Sequence, residues 1–126
     1  MHNQTKPKDN QDCFNRAWEY FSDPDFVRCV NENGICCYRA KFDDKNRACV
    51  IGDQMPDRLA NKYAASILDL INEESSVKRW FGNVDIKLLR MLQNLHDTAN
   101  VFATTVEDRH RYLRVIAKAL NLEVPK

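Results

Sequence analysis

The chain has 126 residues, 44% of them hydrophobic and 29% charged, with 19 Lys and Arg set against 18 Asp and Glu. That length suits one domain able to bury a core without staples, and that balance excludes wholesale disorder. A formal charge of +1 removes the long-range basic field on which non-specific nucleic-acid binders depend.

Residues 1–12 contain no apolar run, so they cannot supply the hydrophobic segment of a signal peptide. They read as a disordered tail, with 13–126 as a single helical domain. Cys13, Phe14, Ala17, Trp18 and Phe21 recur at three- and four-residue steps, which predicts an amphipathic helix capped by Asp9, Asn10 or Asp12. Ser22-Asp23-Pro24-Asp25 stops it, because proline disfavours helical geometry in the residue before it. Phe26, Val27 and Val30 predict a further short helical turn, broken by Asn31-Glu32-Asn33-Gly34.

Ile35 to Arg39 and Ala48 to Ile51 are rich in β-branched and aromatic residues and flank the polar cluster Asp43 to Asn46. A β-hairpin over about 35–51 follows, with Cys36, Tyr38 and Ala40 on one face and Ile35, Cys37 and Arg39 on the other. Met55-Pro56-Asp57 then opens a helix with proline at an early position, carrying Leu59, Tyr63, Ile67, Leu68, Leu70 and Ile71. Val77, Trp80 and Phe81 form a short turn ended by Gly82-Asn83. The strongest helical pattern runs from Asp85 to Phe102 through Ile86, Leu88, Leu89, Leu92, Leu95 and Ala99. Either Thr104 with Glu107 or Thr105 with Asp108 caps a last helix bearing Tyr112, Leu113, Ile116, Ala119, Leu120 and Leu122. The expected fold is α+β and mainly α, four or five helices bundled on one hairpin. No stretch has the roughly 18 consecutive apolar residues that span a membrane, which predicts a soluble chain with no membrane partner.

Three segments, Cys36-Cys37-Tyr38-Arg39, Cys49-Val50-Ile51-Gly52 leading to Met55-Pro56-Asp57, and Leu92-Gln93-Asn94-Leu95-His96-Asp97, together resemble a family of small uncharacterised bacterial and bacteriophage proteins. The likeness runs from residue 36 to 97. It implies a helix, hairpin and helices architecture of phage or prophage origin and brings no activity with it. The family pattern often has a cysteine after the glycine, where this chain has Asp53-Gln54, so a metal site using that position is not implied.

Five cysteines without a secretory signal suggest buried thiols in a reducing cytoplasm. Cys36 and Cys49 fall on adjacent predicted strands, but the intervals lack the paired short motifs of structural zinc sites, so no metal and no cofactor are expected. Cys49 as nucleophile with His96 as base defines a thiol-enzyme reading that would need proximity, an oxyanion donor and access. His96 and Asp97 diverge by about 100° around the helix axis, so they are not expected to pair with each other. Instead Tyr38, Arg39, Cys49, His96 and Asp97 are candidates for a polar network or a ligand pocket. Trp80 and Phe81, beside Arg79, divide between a partner-binding anchor and core packing. His110 is expected to be exposed, and the basic clusters Lys78, Arg79, Lys87, Arg90 and Arg109, Arg111, Arg114, Lys118 read as solvated helix faces, which argues against a nucleic-acid partner. No Gly-x-Ser-x-Gly elbow and no glycine-rich phosphate loop occurs among only three glycines. The reading that follows is a non-enzymatic, phage-associated protein with a protein partner, acting in the bacterial cytoplasm and modulating a host pathway or defence system; small-molecule or nucleotide-ligand binding is the alternative.

Overall fold

A computed structural model describes residues 5–30, 37–42, 45–61 and 67–125, with side chains described for all of these except residues 41, 42, 45 and 46. Within them the chain is mainly helical with one two-stranded antiparallel sheet. The elements are α1 (Asn10–Phe21), β1 (Arg39–Phe42), β2 (Lys45–Ala48), a 3-10 turn (Gly52–Gln54), α2 (Asp57–Ala60), α3 (Ile67–Glu73), α4 (Ser75–Trp80), α5 (Ile86–Phe102) and α6 (Val106–Leu120). No helix among the described residues is long and apolar enough to cross a membrane.

The capping chemistry sets the boundaries. Asp9 accepts from the Asp12 amide at 2.8 Å, so α1 begins at Asn10. Arg16 then ties Thr5 to the same helix through the Thr5 carbonyl and hydroxyl, and residues 10–12, read from the sequence as tail, form the first turn of α1. Asp85 caps α5 through the Lys87 amide, and Thr105, rather than Thr104, caps α6 through the Asp108 amide. Asn121, in the left-handed region at φ 59°, ends α6 while the Leu122 amide donates back to the Ala117 carbonyl at 2.8 Å.

The inward stripes of α1, α5 and α6 meet in one core: Phe14, Ala17 and Phe21 from α1, Leu88, Leu89 and Leu92 from α5, and Leu113 and Ala117 from α6 are all buried. Ile51, Met55, Val77 and Phe81 belong to the same buried core.

Two local expectations change. The hairpin is shorter and displaced toward its tip, with register Arg39↔Ala48 to Phe42↔Lys45. Val50 and Ile51 leave the ladder because the chain turns into the 3-10 segment, and both are fully buried. The Tyr38 carbonyl closes in on Gly52 so tightly that a Cβ there would lie 2.2 Å from its oxygen, which is why glycine stands at the bend. Cys36 and the turn residues Asp43 and Asp44 lie outside the described residues.

The segment 26–29 is not helical. Its backbone groups find distant partners in place of helical ones: the Cys29 amide donates to His96 and its carbonyl accepts from the Cys37 amide at 3.1 Å.

Candidate functional site

The inner face of α5 carries a buried histidine. His96 has no exposed surface, and its Nε2 accepts from the Cys29 amide at 2.9 Å. An amide can only donate, so the ring proton sits on Nδ1, which reaches an Asp97 carboxylate oxygen at 2.8 Å. The expectation that His96 and Asp97 do not pair is therefore overturned. Although the Cβ atoms diverge, the carboxylate folds back across the single residue step because the Cys29 amide has already fixed the ring. The Asp97 carbonyl in turn accepts from Arg28 at 3.1 Å. Tyr20 and Phe26 pack against the ring, with centroids 6.4 and 6.0 Å away.

Of the other predicted network residues, Tyr38 is buried and its hydroxyl accepts from Gln93, one turn before Asp97 on α5, at 3.2 Å. Cys49 is buried beside it, with its sulfur accepting from the Gly52 amide at 3.2 Å. Burial pushes the Cys49 thiol up to about 12, so it stays protonated and offers no nucleophile at neutral pH. Arg39 turns away from this group. It donates to the Gly52 and Met55 carbonyls at 2.8–3.2 Å and pairs with the Asp57 carboxylate, binding β1 to the start of α2.

Tyr38, Arg39 and Cys49 thus fasten the open end of the hairpin, where Tyr20 also donates to the Ala48 carbonyl at 2.7 Å, while His96 and Asp97 hold residues 28 and 29 against α5. The clefts described below are lined by other residues.

The predicted partner anchors are also internal. Phe81 is a core residue, and Trp80 is half-buried, its indole N–H donating to the Gln54 carbonyl at 2.6 Å while Arg58 lies 6.0 Å from its ring. Arg79 alone of the three is exposed.

The last helix holds two further surprises. Arg109, expected on a solvated face, is 1% exposed and donates to the carbonyls of Phe21, Ala103 and Asp23 at 3.0, 3.3 and 2.8 Å, with its guanidinium 4.8 Å from the Phe26 ring centroid. It collects the carbonyls that the ends of α1 and α5 leave without helical partners. His110, expected to be exposed, stacks on Trp18 at 3.9 Å and donates from Nε2 to Ser22, whose hydroxyl proton goes to the Trp18 carbonyl.

Among the described residues, several large apolar side chains of α5 and α6 are left uncovered. Val101 (66%), Phe102 (62%) and Val115 (64%) are exposed, as are Met91 and Tyr112. Phe102, Tyr112 and Val115 border a groove of about 220 Å³ between α5 and α6, floored by Leu95 and Ile116. Sequence periodicity placed Phe102 and Tyr112 in the core stripe. The available signal was stripe width: α6 carries apolar residues at 112, 113, 115 and 116, more than one packed face can absorb.

The same two helices expose cations at Lys87, Arg90, Arg111 and Lys118, and Arg111 is paired with Asp108. A second concavity, of about 350 Å³, lies between the 26–30 segment and the ends of α5 and α6, with Arg28, Arg47 and Thr104 among its lining.

No protein-family model matches this chain, and no curated protein or solved structure matches it at a significant level.

Proposed function

We propose that this chain is a non-enzymatic protein-binding domain whose α5–α6 groove takes an amphipathic helix with an acidic flank. The observation that carries the reading is the exposed Phe102, Tyr112 and Val115 lining the groove between two packed helices, with Val101 exposed next to Phe102 in sequence, a surface type that marks interaction sites. The occupant's charge follows from the exposed side chains: α5 and α6 expose five cationic residues, Lys87, Arg90, Arg111, Arg114 and Lys118, against the acidic Asp97, Glu107 and Asp108, and Asp97 is already engaged by His96. An acidic helix complements that field. The likeness of the Cys37-Tyr38-Arg39, Gly52 and His96-Asp97 segments to phage and bacterial proteins supports a phage-associated role in the bacterial cytoplasm, through a host pathway or defence system.

The test is a titration of the full chain with a synthetic helical peptide bearing Leu at one stripe and Glu on the flanks, followed by methyl NMR. Saturable shifts at Val101, Val115 and Ile116, weakened by salt and by Arg90→Glu with Lys118→Glu, are expected. Shifts confined to other methyls, or equal binding of the same peptide with Lys in place of Glu, would overturn the reading.

A second reading, an anionic small molecule in the 350 Å³ cleft, is favoured by the cleft's size and by Arg28 and Arg47 in its lining. Ligand-dependent stabilisation lost on Arg47→Ala would select it over the groove.

A further inference from the structure

The sulfur atoms of Cys29 and Cys37 lie 3.9 Å apart. Their backbones are already held side by side, since the Cys37 amide donates to the Cys29 carbonyl at 3.1 Å. Cys29 is further fixed from the opposite side by the bond from its own amide to His96. A disulfide needs a sulfur separation of about 2 Å, an approach that side-chain rotation supplies where the backbones already run together.

We propose that Cys29 and Cys37 are a reversible dithiol–disulfide pair, the position at which this domain responds to the redox state of its surroundings. Selectivity comes from position. Cys13 and Cys49 are buried, and burial pushes both thiols up to about 12, which withholds the thiolate that exchange requires. Cys37 is half-buried, the most accessible cysteine among the described residues, while Cys29 lies fully buried behind it. That places an entry thiol against a resolving thiol.

The chemistry is thiol–disulfide exchange with a small disulfide. The Cys37 thiolate attacks one sulfur of the small disulfide, forms a mixed disulfide and expels the first thiolate. Cys29, losing its proton, then attacks the Cys37 sulfur and expels the second. The protein dithiol gives up two electrons and two protons, and the small disulfide becomes two thiols. The product joins residues 29 and 37 in a short ring, which restricts the unfolded chain and stabilises the oxidised form.

The full chain is incubated with oxidised glutathione and mapped by mass spectrometry without reduction, using cleavage after Glu32 to separate Cys29 from Cys36 and Cys37. A Cys29–Cys37 cross-link is expected, with fragment ions assigning Cys37 rather than Cys36. It should persist in Cys36→Ser and disappear in Cys37→Ser, and Cys29→Ser should stop at the glutathione mixed disulfide on Cys37. Oxidation should raise Tm by roughly 5 °C or more, reversed by dithiothreitol. The proposal is overturned if the fragment ions place the link at Cys36, if Cys29 is oxidised only once denaturant unfolds the chain, or if oxidation lowers Tm. The fragment-ion assignment uses the unaltered chain, so it decides the matter even where a variant does not fold.

Discussion

The two faces of the α5–α6 pair invert the usual rule. On the inner side, His96 and Arg109 sit polar and buried within the core, whereas on the outer side Val101, Phe102 and Val115 stand apolar in water. The inner polar groups are partnered: His96 by an amide and a carboxylate, Arg109 by three carbonyls. The outer apolar groups remain more than half exposed among the described residues. Burial of a polar group is tolerated only when its hydrogen bonds are made, and exposure of contiguous apolar surface is a standing cost that folding alone does not explain. The inner set therefore belongs to architecture, and the outer set is the surface on which the proposed binding rests.

That division is most exposed to test at Arg109. Replacing it with Ala removes the donor to the Phe21, Ala103 and Asp23 carbonyls and leaves a void beneath Phe26, which should cost about 3–5 kcal/mol in urea-unfolding experiments. Arg109→Lys should rescue little, because an ammonium cannot span three carbonyls in a planar fork. A loss below about 1 kcal/mol for the alanine variant would show that the guanidinium is not a structural fastener.

His96→Ala comes next, at about 2–4 kcal/mol, because the Cys29 amide loses its acceptor in a dry site. Asp97→Asn should cost less than about 1 kcal/mol, since the amide oxygen still accepts from Nδ1 and the side chain is 38% exposed. Equal losses for the two variants would mean that the carboxylate, rather than the Cys29 amide, holds the ring.

Much of this architecture was legible in the residues, and the part that was not has a common cause. The stripes of α1, α5 and α6, the stop at Ser22-Asp23-Pro24, the caps and the existence of a hairpin all follow from local spacing, because each depends on neighbours within one or two turns. Arg109 and His96 escaped because their partners lie 88 and 67 residues away in sequence, and no periodicity reports such distances. The 26–29 segment misled for the same reason: its apolar spacing suits a helix, but Cys29 gives its amide to α5 and its carbonyl to Cys37. Phe102 and Tyr112 fit a buried stripe, and only the path of the surrounding chain decides which of two apolar stripes is covered. Of the candidate network, Tyr38 meets α5 through Gln93 and His96 meets Cys29 and Asp97, whereas Arg39 goes to the Gly52 and Met55 carbonyls, whose positions depend on the 3-10 bend.

The outer face predicts the opposite balance of effects. Phe102→Asp and Val115→Asp should change folding stability by no more than about 0.5 kcal/mol, because both side chains are more than three-fifths exposed, at 62% and 64%. Each should weaken binding of the acidic peptide by about tenfold or more if it is an anchor. Variants that unfold the chain while leaving affinity intact would move these residues to the architectural side and dissolve the distinction.

His110 lies between the two extremes, half-buried at the seam of α1 and α6, and it carries the smallest expected effect. Burial, then the Arg114 and Arg109 charges, lower its pKa from 6.5. The neutral ring is thus favoured in the folded state, and it is the neutral ring that stacks on Trp18 and donates to Ser22. Above pH 6.5 the group is neutral whether the chain is folded or not, so its contribution is fully present. Below that, the unfolded chain binds the proton more readily, and stability falls until the folded pKa is passed. Tm followed over about one unit on either side of pH 6.5 should show a drop of a few degrees or less on the acid side. His110→Gln, which keeps a donor for Ser22 without a titrating ring, should flatten that drop. An unchanged acid profile in the variant would assign the loss to other groups and leave the Trp18 stack without a role in it.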